Sequence, residues 1–146
     1  MLNQDFKEFI QFLNANQVRY LVVGGYAVAF YGYPRYTKDI DIWLEASQEN
    51  GVKVMQALRD FGFGDLDLQT EDFATANQVI QLGYPPSRID LLTSVDGIQF
   101  ADCYDLRVPV EIEGTVIDFI DLENLRLNKR ASGRWQDLAD LENLQD

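Results

Sequence analysis

Residues 20–44 read YLVVGGYAVAFYGYPRYTKDIDIWL, and the reading of this stretch decides the fold. It opens on an apolar run, residues 20–23, that stops at Gly24-Gly25. It closes on Asp39-Ile40-Asp41-Ile42-Trp43, where two acids alternate with apolar residues. In a strand, residues i and i+2 face the same way. Asp39 and Asp41 therefore project side by side while Ile40 and Ile42 turn to a core. Two carboxylates forced together in a half-buried strand repel unless a cation sits between them. A divalent metal is the usual solution. Taken alone, a D-x-D near a turn is also an ordinary exposed edge, and Gly-Gly is also an ordinary turn.

Composition narrows the chemistry. The chain has 146 residues and no histidine, which excludes Ser-His-Asp and Cys-His catalysis and His-ligated zinc or iron. What remains is carboxylates, lysine, arginine, tyrosine and backbone N–H groups, and carboxylates favour hard cations such as magnesium or manganese. The lone Cys103 excludes an internal disulfide and a multi-cysteine zinc site. One domain spanning residues 1–146, with a sizeable core, is expected from the length. No apolar run reaches membrane-spanning length, and the start MLNQDFKEF has no secretory pattern. A cytoplasmic protein without a membrane partner is expected.

The net charge of −12 disfavours an extended nucleic-acid footprint. Four of the 12 basic residues nevertheless fall within nine positions, Arg126, Lys129, Arg130 and Arg134. They offer either a local anion site or a solvated helix face.

Along the chain, Phe6, Phe9, Ile10 and Leu13 recur at helical spacing over residues 3–15, and residues 18–23 read as a buried strand. Residues 26–31 form a short helix stopped by Gly32-Tyr33-Pro34. Ser47 caps a helix with Val52, Met55, Leu58 and Phe61 on one side, closed by glycines at 62 and 64. Residues 65–77 read as an acidic surface excursion. Strands are expected at 79–82 and 87–93, a short helix at 98–104, and a hairpin about Gly114. Asp121 caps a helix carrying Leu122 and Leu125. Gly133 precedes a last helix with Trp135, Leu138, Leu141 and Leu144. Helix–strand alternation plus a hairpin predicts an α/β (α+β) protein with a single mixed sheet of about five strands and flanking helices.

Asp90, flanked by apolar residues in RIDLL, is a third acid on a strand-like segment. If its strand lies beside that of Asp39 and Asp41, the three converge on one or two metal ions, as two-metal phosphoryl-transfer sites require. Gly24-Gly25, at a strand-to-helix turn, lets a triphosphate approach the backbone and the following helix. No GK[ST] follows, so this is not a Walker motif.

A glycine pair after an apolar strand, 13 intervening residues and then D-I-D-I resembles the DNA polymerase beta-type nucleotidyltransferase superfamily. More narrowly, RYTKDIDIW (35–43) and NKRASGRWQDLADLE (128–142) resemble small bacterial nucleotidyltransferase-like proteins akin to the nucleotidyltransferase toxins of abortive-infection systems. The resemblance spans roughly residues 18–145. It implies that Asp39, Asp41 and Asp90 are catalytic and hold Mg2+ or Mn2+, with Asp90 as the base for an incoming hydroxyl. It also implies that Gly24 and Gly25 bind the nucleotide, and that Lys129 and Arg134 contact the triphosphate, with Asp137 orienting one of them. Arg35 and Thr37 either touch phosphate or brace the loop. Tyr26, Tyr31, Tyr33 and Tyr36 either stack on a base or pack. Trp43 packs on the sheet.

Two functions from different classes follow. One is a metal-dependent enzyme moving a nucleoside monophosphate from an NTP to a hydroxyl acceptor: a protein side chain, a tRNA end or a small molecule. The other is a catalytically silent or partner-binding component of a toxin–antitoxin-type pair, with its protein partner encoded nearby. A chain of 146 residues leaves little for a separate acceptor-binding domain.

Overall fold

The computed structural model describes residues 2–32, 39–64 and 66–144. In chain order the elements are α1 (Gln4–Ala15), β1 (Tyr20–Val23), α2 (Gly24–Phe30), β2 (Asp39–Leu44), α3 (Gln48–Phe61), α4 (Thr70–Ala74), β3 (Val79–Leu82), β4 (Arg88–Leu92), α5 (Phe100–Tyr104), β5 (Val108–Ile112), β6 (Thr115–Phe119), α6 (Leu122–Ser132) and α7 (Trp135–Asn143). The described strands form one mixed sheet of six, rather than about five, in the order β3-β4-β2-β1-β6-β5. The count rises because the short segment 79–82 and both arms of the hairpin all pair into it.

β1 and β2 are central and lie antiparallel, with Val23 opposite Asp41. Every residue of β1 is buried, as expected of a strand covered on both faces. β2 alternates as the sequence predicts: Asp39 and Asp41 are half-buried, and Ile40 and Ile42 are buried. β4 runs parallel to β2 and places Arg88 beside Asp39 and Asp90 beside Asp41. The hairpin β5–β6 is antiparallel, turns at Glu113-Gly114, and docks on β1 through Val22 and Phe119.

Helix ends follow from local chemistry. The Asn3 side chain accepts from Asp5 N–H and Phe6 N–H at the start of α1, and Phe6, Phe9, Ile10 and Leu13 are its buried face. Ser47 accepts from Asn50 N–H at the start of α3, and Gly62 closes that helix with φ +104°, a left-handed turn that glycine adopts without strain. Edge-on rings join the helices, Phe9 to Phe61 and Phe6 to Tyr26. Trp43 is buried on the sheet and meets Phe100 edge-on.

Three expectations are corrected. The buried face of α3 is Asn50, Gly51, Val54, Ala57 and Leu58, while Val52 is exposed. The face is rotated because Asn50 turns inward: its amide accepts from Arg19 N–H and donates to the carbonyls of Arg19 and Glu45. The acidic segment after α3 is not wholly a surface excursion. It contains α4, opened by a capping box between Gln69 and Asp72, and this helix buries Phe73 completely. Lastly, α7 turns Asp137 and Asp140 inward and leaves Trp135 90% exposed and Leu138 45% exposed; of its expected apolar positions Leu144 is buried. Among the described residues no helix is long and apolar enough to cross a membrane.

Gly51 shows how closely α4 sits on α3, since a Cβ there would come within 2.9 Å of the Thr70 carbonyl oxygen. Phe73→Ala is therefore expected to cost about 3–5 kcal/mol in urea unfolding, the price of emptying a core aromatic site. A loss within about 0.5 kcal/mol, as for a solvated loop, would show that α4 is not part of the core.

Candidate active site

The site begins with strand register. Asp39 and Asp41 stand at the first and third positions of β2, Asp90 at the third position of β4, and the parallel pairing sets Asp41 directly beside Asp90. One carboxylate oxygen from each of the three lies within 4.8 Å of the others. The juxtaposition expected from the sequence is thus present. An all-oxygen donor set of this kind fits a hard divalent cation.

The crowding shows in the protonation of Asp41. Burial, then the charges of Asp39 and Asp90, push its carboxyl up to about 7, with Lys129 pulling in the opposite direction. Asp90 is also raised, chiefly by burial, against the opposing pull of Arg88. Among the described residues, the cation bonded directly to these acids is Arg88. Its Nε donates to Asp90 Oδ1 at 3.1 Å and its Nη2 to Asp90 Oδ2 at 3.1 Å. The same Nη2 also donates to Asp39 Oδ2. Sequence reasoning missed Arg88, although its place two residues before Asp90 puts both on one face of β4.

Gly24 opens α2 with φ +67°, and a Cβ there would sit 2.2 Å from Asp41 Oδ2. Both the conformation and the close approach require glycine at this position. Gly25 follows it, buried, in the helix.

A cleft of about 570 Å3 opens beside Asp41. Gly24, Gly25 and Asp41 form one side, Val79, Leu92 and Val95 give apolar contact, and Asn128, Lys129, Ser132, Arg134 and Asp137 form the side built by α6 and α7. The volume is that of a small-ligand or nucleotide site. Of the three clustered acids, Asp41 alone lines this cleft.

Lys129 and Arg134 both reach the cleft, but neither carries an uncommitted charge. Lys129 is buried, with Nζ 3.1 Å from Asp137 Oδ1 and 3.1 Å from Asp140 Oδ2. The exposed Arg134 donates from Nε to Asp137 Oδ2 at 2.7 Å. Burial raises the Asp137 carboxyl, yet hydrogen bonds from Arg134 and Lys129 outweigh it and hold the group below the usual carboxylate range. Asp137 therefore orients both cations rather than one. The other basic residues of this stretch diverge: Arg126 donates to the Leu144 carbonyl, and Arg130 is exposed. Asp96 and Asp140 were not anticipated as neighbours; Asp140 was legible as the helical i+3 partner of Asp137. Arg35, Thr37, Tyr33 and Tyr36 lie outside the described residues. Tyr31 packs, donating from its hydroxyl to the Ile120 carbonyl at 2.7 Å.

The sequence pattern of a family described as "nucleotidyltransferase of unknown function (DUF6036)" matches residues 1–145. No curated protein matches the chain significantly. Among solved structures, the lincosamide antibiotic adenylyltransferase LnuA, with lincomycin bound, is similar at TM-score 0.60 and 17% identity, covering 100% of this chain and 98% of that one. An antigenic nucleotidyltransferase-like protein from Paracoccidioides brasiliensis is similar at TM-score 0.57 and 18% identity, covering 98% and 77%. At these identities the likeness is one of fold.

The raised Asp41 carboxyl predicts a pH dependence. Its folded value of about 7 lies above the ordinary 3.8. Its contribution to stability is therefore complete below about pH 3.8 and is lost as pH rises through about 7. In metal-free buffer the Asp41→Asn variant should gain on the wild type as pH rises from 5 to 8, by roughly 2–4 °C in Tm for each kcal/mol relieved. A constant Tm difference between the two proteins over that range would contradict the crowding.

Proposed function

The chain belongs to this family of nucleotidyltransferases, and from that premise we propose that it moves a nucleoside monophosphate from an NTP to a hydroxyl acceptor in a divalent-metal-dependent reaction. The observation that carries the reading is the convergence of Asp39, Asp41 and Asp90, with oxygens within 4.8 Å, at the edge of a cleft floored by Gly24.

Electrostatics supports metal dependence. Among the described residues, the cleft presents three carboxyl groups, Asp41, Asp96 and Asp137, and two cations, Lys129 and Arg134, both already bonded to Asp137. A triphosphate entering alone would find no surplus of positive charge among these described groups. Asp39, Asp41 and Asp90 would hold Mg2+ or Mn2+, which supplies neutralisation of phosphate charge and activation of the nucleophile.

The chain's own residues then divide the work. Gly24 lets the phosphates approach the backbone where any side chain would strike Asp41. Asp137 keeps Arg134 at the mouth of the cleft and Lys129 beneath it. The acceptor oxygen attacks the α-phosphorus, the bond to the pyrophosphate oxygen breaks, and pyrophosphate leaves. The acceptor proton passes to the Asp90 carboxylate. Positioning and charge compensation supply most of the rate in reactions of this class.

A small hydroxylated molecule is the first acceptor to test. LnuA, whose name gives a lincosamide antibiotic as its acceptor, is matched over 98% of its length. A fold of this size thus suffices to present such an acceptor. The net charge of −12 weighs against a long nucleic-acid footprint.

NTPs labelled at the α-phosphorus, supplied with Mg2+ or Mn2+ and, in separate reactions, hydroxylated small molecules, tRNA and a cell lysate, should give transferred label. Asp39→Asn and Asp41→Asn should each lower transfer by about a thousandfold, the scale seen when a charge-stabilising group of an active site is removed. Transfer that survives both substitutions, or survives chelation, refutes the reading. Labelled NTP that binds metal-dependently but is never transferred would instead favour the partner-binding alternative.

A further inference from the structure

Arg88 bonds to the acid cluster in a way that the proposed reaction leaves unused. It heads β4, half-buried, and its planar fork grips both oxygens of Asp90 while Nη2 also reaches Asp39. A two-pronged guanidinium–carboxylate contact is among the stronger polar pairings available to a side chain. Both oxygens of Asp90 and one oxygen of Asp39 are thereby engaged, in the same cluster that fits a divalent cation. A guanidinium and a divalent cation on shared carboxylates repel at close range, so the two compete.

We propose that Arg88 is a resident counter-ion of the acid cluster, bracing Asp39 and Asp90 in the metal-free protein and giving way when a divalent cation loads. The inference rests on the metal-dependent reading above. The fold provides room for the displacement. Arg88 also lines a second cleft, of about 550 Å3, walled by Phe63, Leu66, Leu82 and Tyr84, and Arg88 does not line the cleft that holds Asp41. A rotation about its flexible stem carries the guanidinium away from the acids and into that space. Arg88 is thus a positioning residue: it keeps mutually repelling carboxylates pre-assembled, and the cost of evicting it sets how readily the metal binds.

The experiment is a Mn2+ titration of the nucleotide-free protein, followed by the loss of the free Mn2+ electron paramagnetic resonance signal. Arg88→Met, which keeps the stem and removes the fork, should bind Mn2+ about tenfold more tightly than the wild type or better, as expected when a competing charged hydrogen-bond donor is removed. Adding Asp41→Asn to that variant should abolish the gain. Unchanged or weaker Mn2+ binding by Arg88→Met overturns the proposal and leaves the metal site standing. No Mn2+ binding by either protein, with or without NTP, removes the metal reading and this one together.

Should Arg88→Met fail to fold, the wild type still answers. In 15N–1H spectra, the Arg88 Nε–H resonance, identified by its absence in Arg88→Lys, should shift and lose protection as Mg2+ saturates the backbone amides of β2. A resonance that stays fixed through that saturation overturns the proposal.

Discussion

Three carboxylates converge at one end of a sheet whose central strands cannot move apart, and much of the surrounding structure answers to that constraint. Ile40, Ile42 and Trp43 are buried on β2, and Ile89 and Leu91 on β4. The strands are anchored by apolar residues that alternate with or follow the acids. A one-residue slip in either strand would turn its acids to the opposite face and expose its anchors. Hydrophobic burial therefore holds together groups that repel. The residual strain appears as the upward displacement of Asp41 and Asp90 rather than as separation of the strands.

Two cation-between-acids arrangements stand near the cleft, and burial separates their behaviour. Lys129, between Asp137 and Asp140, is sealed at 5% side-chain exposure with both partners at 2%. Removing Lys129 would leave two buried carboxylates facing each other without the cation between them, which is strongly destabilising. That arrangement joins α6 to α7. Arg88, between Asp39 and Asp90, has 32% of its side chain exposed. Solvent is available to receive its charge, so the pairing can open at a cost the fold can bear. The same device locks in one place and yields in the other.

These charge pairs also explain which parts of the structure were legible in the sequence. The strand-turn-helix at residues 20–30 and the shared face of Asp39 and Asp41 could be read because period-two alternation and glycine conformation are local rules, whereas Asp90 joined them only on the condition that its strand lay alongside. The inverted face of α7 could not. Its apolar spacing predicts Trp135 and Leu138 inward, yet Asp137 and Asp140 are drawn in by the ammonium of Lys129, on a different helix. The face of α3 was misread for a related reason. Asn50 satisfies backbone groups of Arg19 and Glu45, a demand set by the adjoining ends of β1 and β2. Phe73 lay in an acidic run, and composition hid the one side chain that mattered there. Periodicity reports hydrophobic preference; it cannot report a distant unpaired charge or carbonyl that outbids it.

The same reasoning bears on how a chain of net charge −12 could hold a polyanion. A cleft that relied on free lysines and arginines would need them unpaired, and the two that line this one among the described residues are tied to Asp137. Their fixed orientation provides hydrogen-bond donors in place but contributes little net charge. Attraction must then come from charge brought in with the ligand, and the acid cluster beside Gly24 is the group able to capture it. An acidic surface becomes compatible with a phosphate substrate on this arithmetic. On the proposed reading the carboxylates would recruit cations and the cations phosphate, and the backbone at Gly24, bare of any side chain, would leave space for the two to meet.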